Sequence, residues 1–336
     1  MNISVWGSYP IERRAYSEID FIPEYQLTTK LSLGFVDYFA INDSIGAKHG
    51  FFDMNRKTTM VLALLMVFTF AGAASATTFI SIATGATGGT YYPLGGGMAE
   101  IVSRHAPDLQ VTSETGNASA ANINLIGTHQ IEMAMVQNDL AYWAAKGMTP
   151  FKEQYDNLRV VASLYPEHVQ CITLKGTGVE DIMDIRGKRV SVGAPGSGVL
   201  GDVTALLKVA EMKFGDMEPD FLDFNNTTQR FKDGQLDVGF VVAGYPTSSI
   251  MDLATTHDID LVSFNDDFMS RLVAQYPFFV KDRIPAGTYT GVDKDVQTPA
   301  VLAMLICDSQ LPDDVVYKFT KTFWENIEEL YKVHAK

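Results

Sequence analysis

The stretch TGATGGTYYPLGGG, Thr84 to Gly97, decides how the rest of the chain is read. Six of its fourteen residues are glycine, two tyrosines stand side by side in it, and it follows the apolar alternation of residues 79–83. A strand that stops in a glycine loop ahead of a helix leaves unpaired backbone N–H groups at the helix N-terminus, where the dipole adds positive potential. Such a place holds an anion without Arg or Lys. Here Gly88 and Gly89 permit close approach, Thr90 adds a hydroxyl, Tyr91 and Tyr92 offer rings with polar tips, and Pro93 suits the first turn of a helix. The competing reading is that the glycines only turn the chain and the tyrosines only pack.

Outward from this loop, short apolar runs alternate with amphipathic ones. Strands are predicted at residues 79–83, 109–113, 131–136, 158–164, 169–174, 189–192, 220–224, 238–242, 260–264 and 300–307. Helices are predicted to fill most of the gaps, including 97–104, 118–126, 199–213, 247–255 and 313–333. Such alternation favours parallel sheets with ligands at the strands' carboxyl ends. The chain also echoes itself: GTHQIEMAMVQND (Gly127 to Asp139) and DGQLDVGFVVAGYP (Asp233 to Pro246) both run from a helix end through an apolar–acid–apolar step into a strand. Each half opens with a strand that enters a glycine loop, ISIATGATGGT in the first and RVSVGAPGSGVLG in the second. Two similar lobes would set these loops face to face.

The second loop, Gly196-Ser197-Gly198-Val199-Leu200-Gly201, formally matches G-x-G-x-x-G and has Asp220 and Asp223 further on. That is the basis for an alternative, a secreted α/β enzyme using a nicotinamide cofactor. Against it stand an export signal and the lack of a matching unit at the start of the exported chain. His105, His129, His168 and His257 are scattered without ligand spacing, so no metal site is read, and no G-x-S-x-G elbow occurs. No catalytic residue and no cofactor is assigned. Net charge is −14, which repels nucleic acid.

Residues 54–76, MNRKTTMVLALLMVFTFAGAASA, have a basic start, an apolar run and an A-x-A site at Ala74-Ser75-Ala76, the three parts of a signal peptide. Residues 1–53 are then an upstream extension or the product of a misplaced start, with Met54 the true first residue. The exported chain carries two cysteines, Cys171 and Cys307, in apolar runs that suit either one bridge or two buried thiols.

The segments ATGATGGTYYPLGGGMAEIV, TSETGNASAANINLI, EMAMVQNDLAYWA, LRVVASLYPEHVQ, IRGKRVSVGAPGSGV and IPAGTYTGVDKDVQTPAV together resemble the TAXI class of solute receptors of tripartite ATP-independent periplasmic (TRAP) transporters. The resemblance implies a bilobed, type II periplasmic-binding-protein-like α/β fold whose two α/β lobes are joined by hinge strands. It implies residues 77–186 and 273–336 as lobe 1 and 187–272 as lobe 2. It implies a periplasmic, monomeric receptor, not an enzyme, that delivers a carboxylate-bearing solute of the glutamate, glutamine or organic-acid class to a TRAP-type permease. A soluble sensory binding protein is the other alternative, with the same pocket. Family motifs combined with loop position place ligand contacts at Gly88, Gly89, Thr90, Tyr91 and Tyr92, at Thr115, Asn117 and Ser119, at Gln137 and Asp139, at Pro195, Gly196, Ser197 and Gly198, and at Gly244, Tyr245 and Pro246. The loops carry no arginine; Arg159, Arg189 and Arg230 are candidates to complete an anion site by exclusion only, beside a reading as surface charges. Family members continue past KFTKTFWENIEELYKVHAK, so a short or truncated member is expected.

Overall fold

The computed structural model describes residues 77–116 and 118–332. The upstream extension, the signal peptide, Asn117 and the last four residues lie outside the described residues. What is described belongs to one compact unit, built on a sheet of order β2-β1-β3-β10-β4-β7-β5-β6.

In the first half, β1 (Thr78–Ala83), β2 (Leu109–Glu114) and β3 (Met133–Gln137) run parallel, and β10 (Val296–Asp308) runs antiparallel to β3. In the second half, β5 (Arg189–Ser191), β6 (Glu218–Asp220) and β7 (Val238–Ala243) repeat this pattern, with β4 (Leu158–Leu174) antiparallel to β7. The two echoed segments therefore occupy equivalent places, β3 and β7, each between a parallel strand and a long antiparallel one. Every residue of both is buried, which explains why they read as unbroken apolar runs: helices cover both faces of the sheet. Two shorter strands extend it, β8 (Ile259–Leu261) beside β4 and β9 (Val280–Ile284) beside β10.

β4 corrects the expectation of two separate strands at 158–164 and 169–174. It runs continuously, pairing with β10 from Leu158 to His168 and with β7 from His168 to Thr173. Pro166, which suggested a break, lies opposite Leu302 at a register irregularity, a position where its missing N–H is tolerated. β4 and β10 are thus the strands that join the two halves. Phe279 packs in one apolar cluster with Val203 and Phe240, and Ile284 and Val296 pack with Ile250. We therefore propose that the halves divide on the crossing strands, near His168 and Ala300, rather than after residues 186 and 272.

Helices α1 (Tyr91–His105), α2 (Ser119–Gly127), α3 (Asn138–Ala145) and α8 (Asp313–Glu325) belong to the first half. The second half holds α4 (Gly198–Val209), α5 (Phe224–Lys232), α6 (Ser248–Ala254) and α7 (Asp266–Gln275). Helix α1 starts at Tyr91, six residues before the predicted start at Gly97, because Gly95–Gly97 are helical. A Cβ at Gly95 would overlap the Thr84 methyl group, so this glycine brings the helix down onto the end of β1. The strand expected at 220–224 stops at Asp220, and Asp223 instead accepts from the Asn226 N–H at 2.9 Å and caps α5. The terminal helix ends at Glu325 and continues as a 3₁₀ turn, Ile327–Lys332. Helices α3, α5 and α7 fill further gaps between strands, as the alternation predicts. Cys171 and Cys307 are both buried free thiols.

Candidate functional site

A cavity with about 50 Å³ of water-accessible space lies between the two halves. The N-terminal ends of four helices reach it: Thr90 and Tyr91 of α1, Ala118 and Ser119 of α2, Ser197 and Gly198 of α4, and Asp223 and Phe224 of α5. The loop at residues 85–90 and the loop at 194–198 contribute opposite walls, the facing pair that the two glycine loops suggested. In α4 the Ser197 hydroxyl accepts from the Leu200 N–H at 3.2 Å, which caps the helix and leaves the earlier N–H groups toward the cavity.

The halves are closed on each other by direct hydrogen bonds. The Thr90 hydroxyl donates to the Gly244 carbonyl at 3.2 Å, Ser249 N–H to Gly88 O at 3.2 Å, and Ala121 N–H to Gly196 O at 2.9 Å. Asn225 Nδ2 donates to Thr87 Oγ1 at 3.0 Å, and Gln137 Nε2 to Asp202 Oδ2 at 2.9 Å. A Cβ at Gly198 would overlap Gln137 Oε1 and sit 2.8 Å from Ser119 Oγ, so with these side chains as placed the approach of α4 to β3 favours glycine there. The Gln137 amide is itself held from both sides. Its backbone N–H donates to Ser119 Oγ at 3.0 Å, and its side-chain nitrogen reaches across to Asp202.

Three buried carboxyl groups gather beside the cavity. Glu167, on β4 where the strand crosses between halves, lines it directly and is 2% exposed. The Tyr91 hydroxyl donates to its Oε2 at 2.7 Å. Burial pushes the Glu167 carboxyl up to about 8, with the Tyr91 hydrogen bond pulling down and the Asp139 charge adding upward. Behind it, Asp139 from the first half faces Asp202 from the second, both fully buried. Burial raises both, and for Asp202 the Asp139 charge raises it further. The two carboxyls lie within hydrogen-bond range of each other, which also contributes to the shifts, raising Asp202 and lowering Asp139; with both ionised, neither Asp139 oxygen nor Asp202 Oδ1 would have a donor. None of the described residues lining the cavity is Lys, Arg or His.

Of the residues expected to touch ligand, Gly89, Thr90, Tyr91, Ser119, Gln137, Ser197 and Gly198 line the cavity. Gly88 lies beside it against Asn225 and Ser249. Tyr92 does not line it; the ring that does is Tyr91, while Tyr92 is 38% exposed. Successive residues at the start of a helix point in different directions, so one of the pair turns inward and the other out. Thr115, Asp139, Pro195, Gly196, Gly244, Tyr245 and Pro246 are also absent from the lining. Gly196 instead borders an outer groove with Trp143 and Lys208, and Tyr245 packs edge-on against His168 at 4.6 Å between ring centroids. The arginines named by exclusion lie elsewhere: Arg159 donates to the Asp156 carbonyl at 2.7 Å, Arg189 pairs with Asp237 at 2.6 Å and Arg230 with Asp220 at 3.4 Å.

Sequence reasoning missed Glu167, Phe224 and Asp202. The signal for the acids was present, a lone carboxylate inside an apolar strand (YPEHVQ) and another on an apolar helix (GVLGDVTALL), since such positions are rarely charged without a use. Among the described residues no group of three His, Cys, Asp or Glu side chains is arranged to hold a metal ion.

A family model described as NMT1-like family matches residues 82–336. Among solved structures, the chain is similar to a putative L-cystine ABC transporter protein from Listeria monocytogenes, at 14% identity over 76% of this chain and 94% of that one, with a TM-score of 0.46. It is similar to the periplasmic aliphatic sulphonate binding protein SsuA from Escherichia coli, at 13% identity over 76% and 78% of the two chains, with a TM-score of 0.43. It is also similar to a binding protein component of an ABC phosphonate transporter from Pseudomonas aeruginosa, at 13% identity over 77% and 78%, with a TM-score of 0.47.

Proposed function

The chain belongs to the NMT1-like family, and from there we propose that it is a periplasmic receptor that closes its two halves over a small carboxylate-bearing solute and delivers it to a TRAP-type membrane permease. The solute class is glutamate, glutamine or a related organic acid. The observation that carries this reading is the convergence of helix N-termini from both halves on one cavity in which no described side chain is basic. Backbone N–H groups of α1, α2 and α4 are then the donors for a carboxylate, and Phe224, Val199 and Tyr91 wall its carbon skeleton.

A solute touching both halves binds the closed arrangement better than the open one and so draws closure. No bond is made or broken in this cycle, and the chain acts as a carrier, not an enzyme. The run of motifs from Ala83 to Val301 supports the permease type, and the basic-apolar-small order of residues 54–76 supports export. Thermal unfolding of the purified chain against glutamate, glutamine, 2-oxoglutarate and C4-dicarboxylates tests the reading. A ligand at a hundred times its dissociation constant adds about 2.7 kcal/mol, a shift of roughly 5 to 11 °C for a chain of this size. No shift with any carboxylate at millimolar concentration would refute it.

A further inference from the structure

We propose that Glu167 accepts a cationic nitrogen of the solute, so that the cavity takes zwitterionic amino acids in preference to simple organic acids. This rests on the receptor reading above and narrows its solute class.

Two acids line the cavity, Glu167 and Asp223; Asp223 is half-buried and caps α5, whereas Glu167 is 2% exposed. Its Oε2 accepts from Tyr91, and no described residue donates to Oε1 at hydrogen-bond distance. A carboxylate enclosed this way lacks a compensating charge, which is costly unless a cation arrives or a proton stays on. The described residues supply no cation: none of those lining the cavity is Lys, Arg or His, and the described side chains form no metal-holding group. Tyr165, on the same strand as Glu167, is 6% exposed, and its hydroxyl lies against the Thr90 side chain. An ammonium has three N–H donors, and among the residues lining the cavity Glu167 Oε1 and Thr90 Oγ1 are acceptors for it. The same cavity offers helix N-termini for the other end of a zwitterion, so one small molecule satisfies both poles.

The groups that face Glu167 are Tyr91 from α1, Tyr165 on its own strand, Asp139 from α3 and Asp202 from α4. None is basic, and with its carboxyl at about 8 Glu167 holds a proton at pH 7. Pairing with an ammonium expels that proton, so binding at pH 7 releases protons to the buffer.

The experiment is titration calorimetry of the full chain with L-glutamate, L-glutamine and L-leucine, each beside the 2-hydroxy acid of the same carbon skeleton, in two buffers of different ionisation enthalpy. The expected result is that the best amino acid binds at least tenfold tighter than its hydroxy counterpart and releases protons. Glu167→Gln is expected to bring that ratio to within about threefold of unity, and Glu167→Asp to keep part of it. A hydroxy acid that binds as tightly as its amino acid overturns the inference while leaving the receptor reading intact. So does a preference that survives in a Glu167→Gln variant that unfolds cooperatively. If no carboxylate of either kind binds the wild-type chain, both the inference and the reading beneath it fall.

Discussion

Asp202 is a place where one atom's change has a calculable effect. It stands on α4 of the second half, fully buried, with Oδ2 accepting from Gln137 Nε2 at 2.9 Å and with Asp139 of the first half facing it. Burial and the Asp139 charge raise its pKa well above the ordinary carboxyl range. In the unfolded chain Asp202 ionises near pH 4, so above that pH the folded, closed form holds at least one proton that the unfolded form has lost. A raised folded-state pKa gives stability that is complete below the unfolded pKa and declines as pH rises toward the folded one. The slope is about 1.4 kcal/mol per pH unit for each such proton, or roughly 3 to 6 °C per pH unit for a chain of this size. Asp202→Asn keeps the acceptor for Gln137 and needs no proton. Across pH 5 to 8 its melting temperature should therefore fall less steeply than the wild type's by about that slope. Thermal melts of both proteins at half-unit pH steps make the comparison. Parallel pH profiles for the two would refute the assignment of a buried, protonated acid that bridges the halves.

Tyr91→Phe removes the donor to Glu167, so solute affinity should drop by about tenfold or more, as expected for a charge-assisted hydrogen bond, in calorimetry with the same ligand. Tyr92→Ala, in contrast, should change affinity less than about twofold and stability by less than about 0.5 kcal/mol, because that ring is exposed and outside the cavity. Cys171 and Cys307 are buried thiols whose burial pushes both pKa values up, Cys307 to about 11. A thiol reagent at pH 8 should label neither in the folded protein and both in denaturant, whereas a bridged pair would stay unlabelled in denaturant until reduced.

The fold was legible because its strongest signals are local. The buried strands β3 and β7 appear as unbroken apolar runs, and their common flanks betrayed the repeated halves before any topology was known. The continuity of β4 was hidden by Pro166, which looks like a break unless the partner strand's irregularity at Leu302 is known. Helix α1 was placed too late because Gly95–Gly97 have low helix propensity, and the tight contact of Gly95 with Thr84 that favours glycine there is tertiary. The site was legible as two glycine loops, and both do line the cavity. Its acids were not, since what marks Glu167, Asp139 and Asp202 is their convergence from β4, α3 and α4, elements far apart in the chain. Orientation was the other hidden quantity: sequence cannot say which of Tyr91 and Tyr92 turns inward.

The measurement that bears hardest on the closed, two-sided cavity is calorimetric titration of the wild-type chain and Gly198→Ala with the best-bound carboxylate of the panel. A Cβ at position 198 collides with Gln137 Oε1 across the two halves in this closed arrangement, so the substitution is expected to weigh on closure. The expected result is cooperative unfolding for both proteins, with affinity reduced at least tenfold in the variant. Equal affinity in the two proteins would contradict the account, for it would mean that the solute does not bind by bringing α4 against β3.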